Sequence, residues 1–230
     1  MKNIIAALYV ITILFACKSA PKEVKVETTK EFRGLQANAV LQLTDTTQLN
    51  TIDSAAITFA TGNQGYNLVF WKNRAIIYGN TKTIEILANA FGNIPNLKVE
   101  KQTDVLYNYN RTWCDSVETE GNWKNYILSA NLVSDVAKQQ QYIDAHNTQR
   151  EKWPDVGNGF CNANFQQLQI FKIGSQLVLI IRIPEANTLE ELDPKTLENN
   201  PKMVEWNNQM KDYQTGIPGT KPGETWVFFK

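Results

Sequence analysis

One imidazole is available to this chain of 230 residues, that of His146, and Tyr142 stands four positions before it. Residues four apart share one face of a helix. A helix over this stretch therefore presents a phenol and an imidazole together. The pair suits proton traffic with a hydroxylated ligand, because an imidazole titrates near neutral pH and a phenol donates a hydrogen bond. The same spacing also describes a surface or satisfied core histidine of an amphipathic helix, and pattern alone leaves both readings open.

Other constellations carry less. Cys114 and Cys161 are isolated, and with a single histidine they give neither a CxxC nor an HxxxH spacing, so no metal site is read. Glu185, Glu190, Glu191, Asp193 and Glu198 form an acidic run. Paired glycosidase carboxylates come from rigid strand ends beside a cleft, whereas this run is punctuated by Pro and Asn and reads as a solvated loop. Of the six tryptophans, Trp123, Trp153, Trp206 and Trp226 fall in the second half, against Trp71 and Trp113 in the first. Indoles stack on the apolar faces of sugars and also fill cores, and Trp206, in a stripe with Met203, Met210 and Tyr213, fits either role.

The elements that must hold these side chains follow from period and punctuation. Leu35 to Leu43 reads as a strand. Asp45 then caps a helix with apolar positions Leu49, Ile52, Ala56 and Phe59. Tyr66 to Trp71 and Ala75 to Tyr78 make a hairpin across Lys72-Asn73-Arg74. A second helical stripe, Ile84, Leu87, Ala88 and Phe91, stops at Gly92, and Leu97 to Tyr109 is the closing strand. The order then repeats. Tyr126 to Leu132 alternates as a strand, Ser134 caps a helix running to about Arg150, and Phe165 to Ile173 pairs with Gln176 to Ile183 around Gly174. Asn200-Pro201 opens a last helix, and Thr225 to Phe229 is the final strand.

Two βαββαβ orders in succession predict an α+β protein of two tandem ferredoxin-like units, 34–118 and 119–230. Each unit alone leaves an apolar sheet face in water. Packing the two sheets face to face buries both, which predicts an intrachain pseudo-dimer of the dimeric α/β-barrel type.

Lys2 followed by an apolar run, Ile4 to Ala16, has secretory rather than membrane-spanning length. It ends in Leu14-Phe15-Ala16-Cys17, the arrangement of a lipoprotein signal peptide over 1–16 with lipidation at Cys17; a plain signal peptide is the other reading. Residues 17–33 are polar and read as a tether. The expected location is the cell envelope, anchored to the periplasmic or outer-membrane side. There a disulfide between Cys114 and Cys161 is permitted. Charges cancel at 23 basic against 23 acidic, and loss of Lys2 leaves 22 against 23. Such a chain offers no basic footprint for nucleic acid.

Five segments together resemble the L-rhamnose mutarotase family, with its fucose-associated relatives, over about Tyr126 to Phe229. They are Tyr142-Ile-Asp-Ala-His146, Trp153-Pro154-Asp155-Val156, Gln169-Ile-Phe-Lys-Ile-Gly174, Asn200-Pro-Lys-Met-Val-Glu-Trp206 and Lys221-Pro-Gly-Glu-Thr-Trp-Val227. The resemblance implies that His146 is the proton donor, that Tyr142 contacts a sugar, and that Trp206 lines its pocket. The ligand is then a monosaccharide, a deoxyhexose or related hexose, and no cofactor is needed. Three positions depart from the family pattern. About three extra residues lie within Asn147 to Lys152, Leu168 stands where the bacterial rhamnose enzymes present a sugar-contacting tyrosine, and Asn207 replaces a second tryptophan. Rhamnose itself is therefore not implied as the substrate. The competing readings are a non-catalytic carbohydrate-binding or accessory lipoprotein and, by fold analogy alone, a small monooxygenase or haem-degrading protein. Homo-oligomerisation is left open.

Overall fold

The computed structural model of the chain describes residues 37–44, 65–115 and 122–230. The expected signal peptide, Cys17, the tether and the helix capped by Asp45 all lie outside the described residues.

The first sheet contains β1 (Ala39–Thr44), β2 (Tyr66–Trp71), β3 (Arg74–Gly79) and β4 (Lys98–Gln102), in the order β2-β3-β1-β4 with every neighbour antiparallel. Helix α1 (Thr81–Phe91) covers one face. Asn80 starts it by accepting the Thr83 amide at 2.8 Å, and its Ile84, Leu87 and Phe91 pack on Ala39, Leu41, Leu43 and Ile77. Alternation along β1 sends Val40 to the opposite face.

The second sheet contains β5 (Val105–Asn110), β6 (Trp123–Leu132), β7 (Gln167–Ile173), β8 (Gln176–Pro184), β10 (Val227–Phe229) and the two-residue β9 (Gln214–Thr215), which pairs with β6. Its order is β10-β6-β8-β7-β5. Without β5 and β9 this repeats the first sheet: fourth, first, third, second strand of a ferredoxin-like unit. The two sheets meet face to face. Val40, Ile76 and Tyr78 pack against Ile127, Phe171, Val178, Ile180, Val227 and Phe229. Between the sheets Gln42 donates to Gln176 at 2.8 Å, and Gln176 donates to Ser129 at 2.7 Å, a buried chain that fixes their register. At one margin Phe70 and Lys230 exchange backbone hydrogen bonds of 2.7 and 2.9 Å, tying the edge of the first sheet to the end of β10. Two ferredoxin-like units thus pack within one chain, as expected.

The segment Leu97 to Tyr109, read as one strand, is two. β4 stays in the first sheet, whereas β5 adds to β7 at the edge of the second. Their faces explain the division: β4 is the charged Lys-Val-Glu-Lys-Gln and sits on an exposed edge, while β5 places Tyr107 and Tyr109 in the second core.

On the outer face of the second sheet lie α2 (Val136–Asn147), α3 (Gln149–Lys152), α4 (Pro154–Asn162), α5 (Leu189–Leu192) and α6 (Pro201–Lys211). The cap of α2 is Asp135 rather than Ser134; its carboxylate accepts the amides of Ala137 and Lys138 at 2.8 and 3.2 Å. The helix stops at Asn147, and the short α3 lies within the stretch Asn147 to Lys152. No element is read from the sequence between about Arg150 and Phe165; α4 lies there and carries two glycines, weak helix formers. Gly159 permits close packing: a Cβ there would lie 2.7 Å from the Thr196 carbonyl and 2.9 Å from the Asn200 amide nitrogen. The acidic run is also more ordered than a loop. Thr188 and Glu191 form a reciprocal capping box for α5, a 3-10 turn follows over Asp193–Thr196, and Leu189 and Leu192 are buried.

Candidate active site

A cavity of about 560 Å³ lies between the second sheet and these helices. Strand alternation supplies its floor: Leu128 from β6, Leu168 and Ile170 from β7, Leu179 and Ile181 from β8. Tyr142 and His146 come from α2, and Met203, Trp206 and Met210 from α6. Glu190, Asp193, Lys211, Gln214 and Thr225 add polar groups. The four residues singled out from sequence, His146, Tyr142, Trp206 and Leu168, therefore line one hollow.

His146 is 7% exposed. Its Nδ1 lies 2.9 Å from the carbonyl oxygen of Tyr142, one helical turn earlier. A carbonyl only accepts, so Nδ1 carries the hydrogen and Nε2 keeps the lone pair. Among the described residues no hydrogen bond reaches Nε2. Burial lowers the imidazole to about 4, partly opposed by the hydrogen bond to the Tyr142 carbonyl. At neutral pH the ring is uncharged and ready to accept a proton. Three rings hold it: Tyr142 at 4.1 Å between centroids, Trp206 at 5.0 Å and Tyr107 at 5.3 Å, the last two edge-on.

Tyr142 is fully buried, and burial raises its phenol well above the ordinary value, so it stays a donor. Gln214 lies beside its hydroxyl, yet among the described residues that hydroxyl meets no partner at hydrogen-bonding geometry. Gln214 instead accepts from the Trp226 indole at 3.2 Å. An unmet buried hydroxyl costs about 1–3 kcal/mol. A ligand hydroxyl entering the cavity relieves that cost.

Trp206 is a core residue that also faces the cavity. It packs in the core with Met203 and Met210, and it lines the cavity between His146 and Trp153, whose ring is 5.7 Å away. Leu168 belongs to the apolar floor and offers a ligand no hydrogen bond. The acidic run, read as a solvated loop, instead brings Glu190 and Asp193 to the cavity wall, and partial burial raises the Asp193 carboxyl.

Sequence reasoning missed Tyr107 and Gln149. Tyr107 reaches the cavity from β5, and its hydroxyl donates to the Gln149 side-chain oxygen at 2.9 Å. Gln149, fully buried on α3, donates to the Trp153 carbonyl at 3.1 Å. Nearby, Cys114 and Cys161 form a disulfide that ties the residues after β5 to α4. Among the described residues no cluster of three or more His, Cys, Asp or Glu is placed to hold a metal, and no helix is long and apolar enough to cross a membrane.

A family model described as L-rhamnose mutarotase matches residues 128–230. The L-fucose mutarotase of Xanthomonas campestris pv. campestris is 30% identical over 105 residues, which span 44% of this chain and 78% of that protein. A UPF0734 protein of Dictyostelium discoideum is 28% identical over 113 residues, 46% of this chain and 84% of that one. Among solved structures, a ferredoxin-fold protein related to antibiotic biosynthesis monooxygenases, from Listeria monocytogenes, covers 85% of this chain and 96% of its own at 10% identity and a TM-score of 0.31, an overlap too loose to carry an argument.

Proposed function

The chain belongs to the L-rhamnose mutarotase family through residues 128–230, and on that premise we propose that it interconverts the α and β anomers of a deoxyhexose or related hexose, with His146 as the acid/base. One observation carries the reading: His146, Tyr142 and Trp206 converge on a single cavity, and the Tyr142 hydroxyl there meets no partner at hydrogen-bonding geometry among the described residues.

Anomer exchange opens and recloses a hemiacetal. The anomeric hydroxyl loses a proton, the bond from C1 to the ring oxygen breaks, and the ring oxygen gains a proton. The neutral imidazole takes the anomeric proton on Nε2. Low dielectric surroundings make the resulting imidazolium a strong acid, and it gives the proton to the ring oxygen. Both oxygens are bonded to C1, so one nitrogen serves both with little movement. The proton-donor role implied for this histidine is then the second half of its cycle. Rotation about C1–C2 and reversal of these steps closes the ring on the other face. Tyr142 donates to a ring hydroxyl, and the Trp206 indole covers an apolar face of the sugar. Acid/base assistance of this kind is worth about 10²–10⁴-fold, enough for a reaction that already proceeds in water.

Exchange NMR on free reducing sugars tests the proposal. Accelerated anomer exchange that is lost in His146→Ala supports it. The aliphatic floor, Leu168 included, favours a second reading as a non-catalytic carbohydrate-binding or accessory protein, and binding without acceleration would select that one.

Lipidation of Cys17 in the cell envelope is proposed alongside. The Cys114–Cys161 disulfide supports an oxidising compartment. Mass spectrometry of the protein from membranes tests it: a diacylglycerol adduct on an N-terminal Cys17 is expected, and an unmodified chain retaining residues 1–16 would contradict it.

A further inference from the structure

Tyr107 lies upstream of the family-matched residues 128–230 and still forms part of the cavity wall. Its ring meets the imidazole of His146 edge-on, at 5.3 Å and 78°. Its hydroxyl is engaged by Gln149 and so is not free for a ligand. Gln149 sits on the short helix α3 that follows the His146 helix, and its buried amide also holds the Trp153 carbonyl. Trp153 in turn meets Trp206, which meets His146 from the other side.

The rest of this upstream segment is fastened to the same place. β5 pairs with β7, Arg111 donates to the Cys161 carbonyl at 2.7 Å, the Arg150 guanidinium lies 4.9 Å over the Trp113 ring, and Cys114 is bonded to Cys161. Two consecutive residues of α3, Gln149 and Arg150, thus grip two residues of the upstream segment, Tyr107 and Trp113. A strand and a helical turn, each additional to the βαββαβ plan, meet behind the imidazole.

We propose that Tyr107 is a positioning residue for His146: anchored by Gln149, its ring fixes the imidazole and keeps water from it, so that the family-matched region needs residues 105–115 to make a working site. The catalytic part of this inference rests on the mutarotase reading; the positioning part does not. Five other titratable or charged groups share the cavity or the ring stack with His146: Tyr142 on its own helix, Glu190, Asp193 and Lys211 from the facing elements, and Tyr107 itself. None of these side chains is a cause of the lowered imidazole value: burial lowers it, and the hydrogen bond to the Tyr142 backbone carbonyl opposes the lowering. Removing the Tyr107 ring is therefore expected to act through hydration.

The full chain supplies its own probe, since His146 is its one histidine and its imidazole signals need no assignment. The experiment follows those signals by NMR across pH in wild type, Tyr107→Ala and Tyr107→Phe, together with the pH profile of anomer exchange. In Tyr107→Ala the His146 midpoint is expected to rise by about one unit or more toward the ordinary value. The acid limb of the rate is expected to move with it, and kcat to fall by about tenfold while KM changes less. Tyr107→Phe keeps the ring edge and is expected to restore most of the wild-type midpoint. A midpoint and acid limb unmoved in folded Tyr107→Ala, with activity tracking only the folded fraction, would overturn the proposal. If the alanine variant does not fold, Tyr107→Leu, which fills more of the space, is read in the same way. Absence of exchange in the wild type would remove the mutarotase reading, and the His146 midpoint would still decide the positioning role.

Discussion

The carbonyl oxygen of Tyr142 lies 2.9 Å from Nδ1 of His146, so the backbone of one member of the pair fixes the tautomer of the other. With Nδ1 occupied, Nε2 is the nitrogen left for a ligand, and burial keeps it unprotonated. Several outcomes depend on this contact and on the packing around it.

Activity should be insensitive to pH from about 8 to 5 and fall as the imidazole protonates, with a midpoint near about 4. Stability has the same sign. The folded state holds this group below its ordinary value of about 6.5, so the unfolded chain binds the extra proton first. The stabilisation linked to neutral His146 is complete above pH 6.5 and is lost as pH falls through the folded value. A rate profile centred instead near 6.5 would show a hydrated imidazole.

Tyr142→Phe deletes a buried hydroxyl that meets no partner at hydrogen-bonding geometry among the described residues. The apo protein should therefore unfold at the same denaturant midpoint or a slightly higher one, a change within about 1 kcal/mol. Sugar affinity should weaken by about tenfold, the equivalent of one lost hydrogen bond. Loss of stability with unchanged affinity would mean that the hydroxyl serves the fold.

The pairing of Tyr142 and His146 was legible because it is local. Four-residue spacing puts both on one helical face, and the same applies to Asn200 capping the helix that carries Trp206. Both hairpins, around Lys72-Asn73-Arg74 and around Gly174, were legible for the same reason. Tyr107 was not, because its contact with His146 depends on which sheet receives a strand, and polarity separates β4 from β5 only once the exposed edge is known. Gly157 and Gly159 weaken the helical signal of α4, where Gly159 serves close packing. The Thr188/Glu191 capping box was a readable signal that the acidic run is ordered. Its placement of Glu190 and Asp193 against the cavity was not readable. Nor was the lowered imidazole value, which follows from the burial of His146 in the folded chain.

Gly159→Ala places a methyl 2.7 Å from the Thr196 carbonyl. Backbone must shift to admit it, and a destabilisation of about 1–3 kcal/mol is expected despite alanine's better helix propensity. Chemical denaturation measures it; a stabilised variant would show that α4 and the turn over Asp193–Thr196 are not closely packed.

The Cys114–Cys161 bond closes a sequence separation of 47 residues. Replacing both cysteines with serine should lower stability by about 2–4 kcal/mol through the gain in unfolded-chain entropy. Thermal unfolding with and without reductant checks this. Equal melting temperatures would mean that strand pairing of β5 alone holds the segment.

The most direct measurement is magnetisation transfer between the two anomer signals of a free deoxyhexose at neutral pH, with wild type and with His146→Ala at matched folded concentration. Exchange well above the buffer rate in the first and at the buffer rate in the second is the expected result. Equal exchange in the two proteins would contradict catalysis by this imidazole.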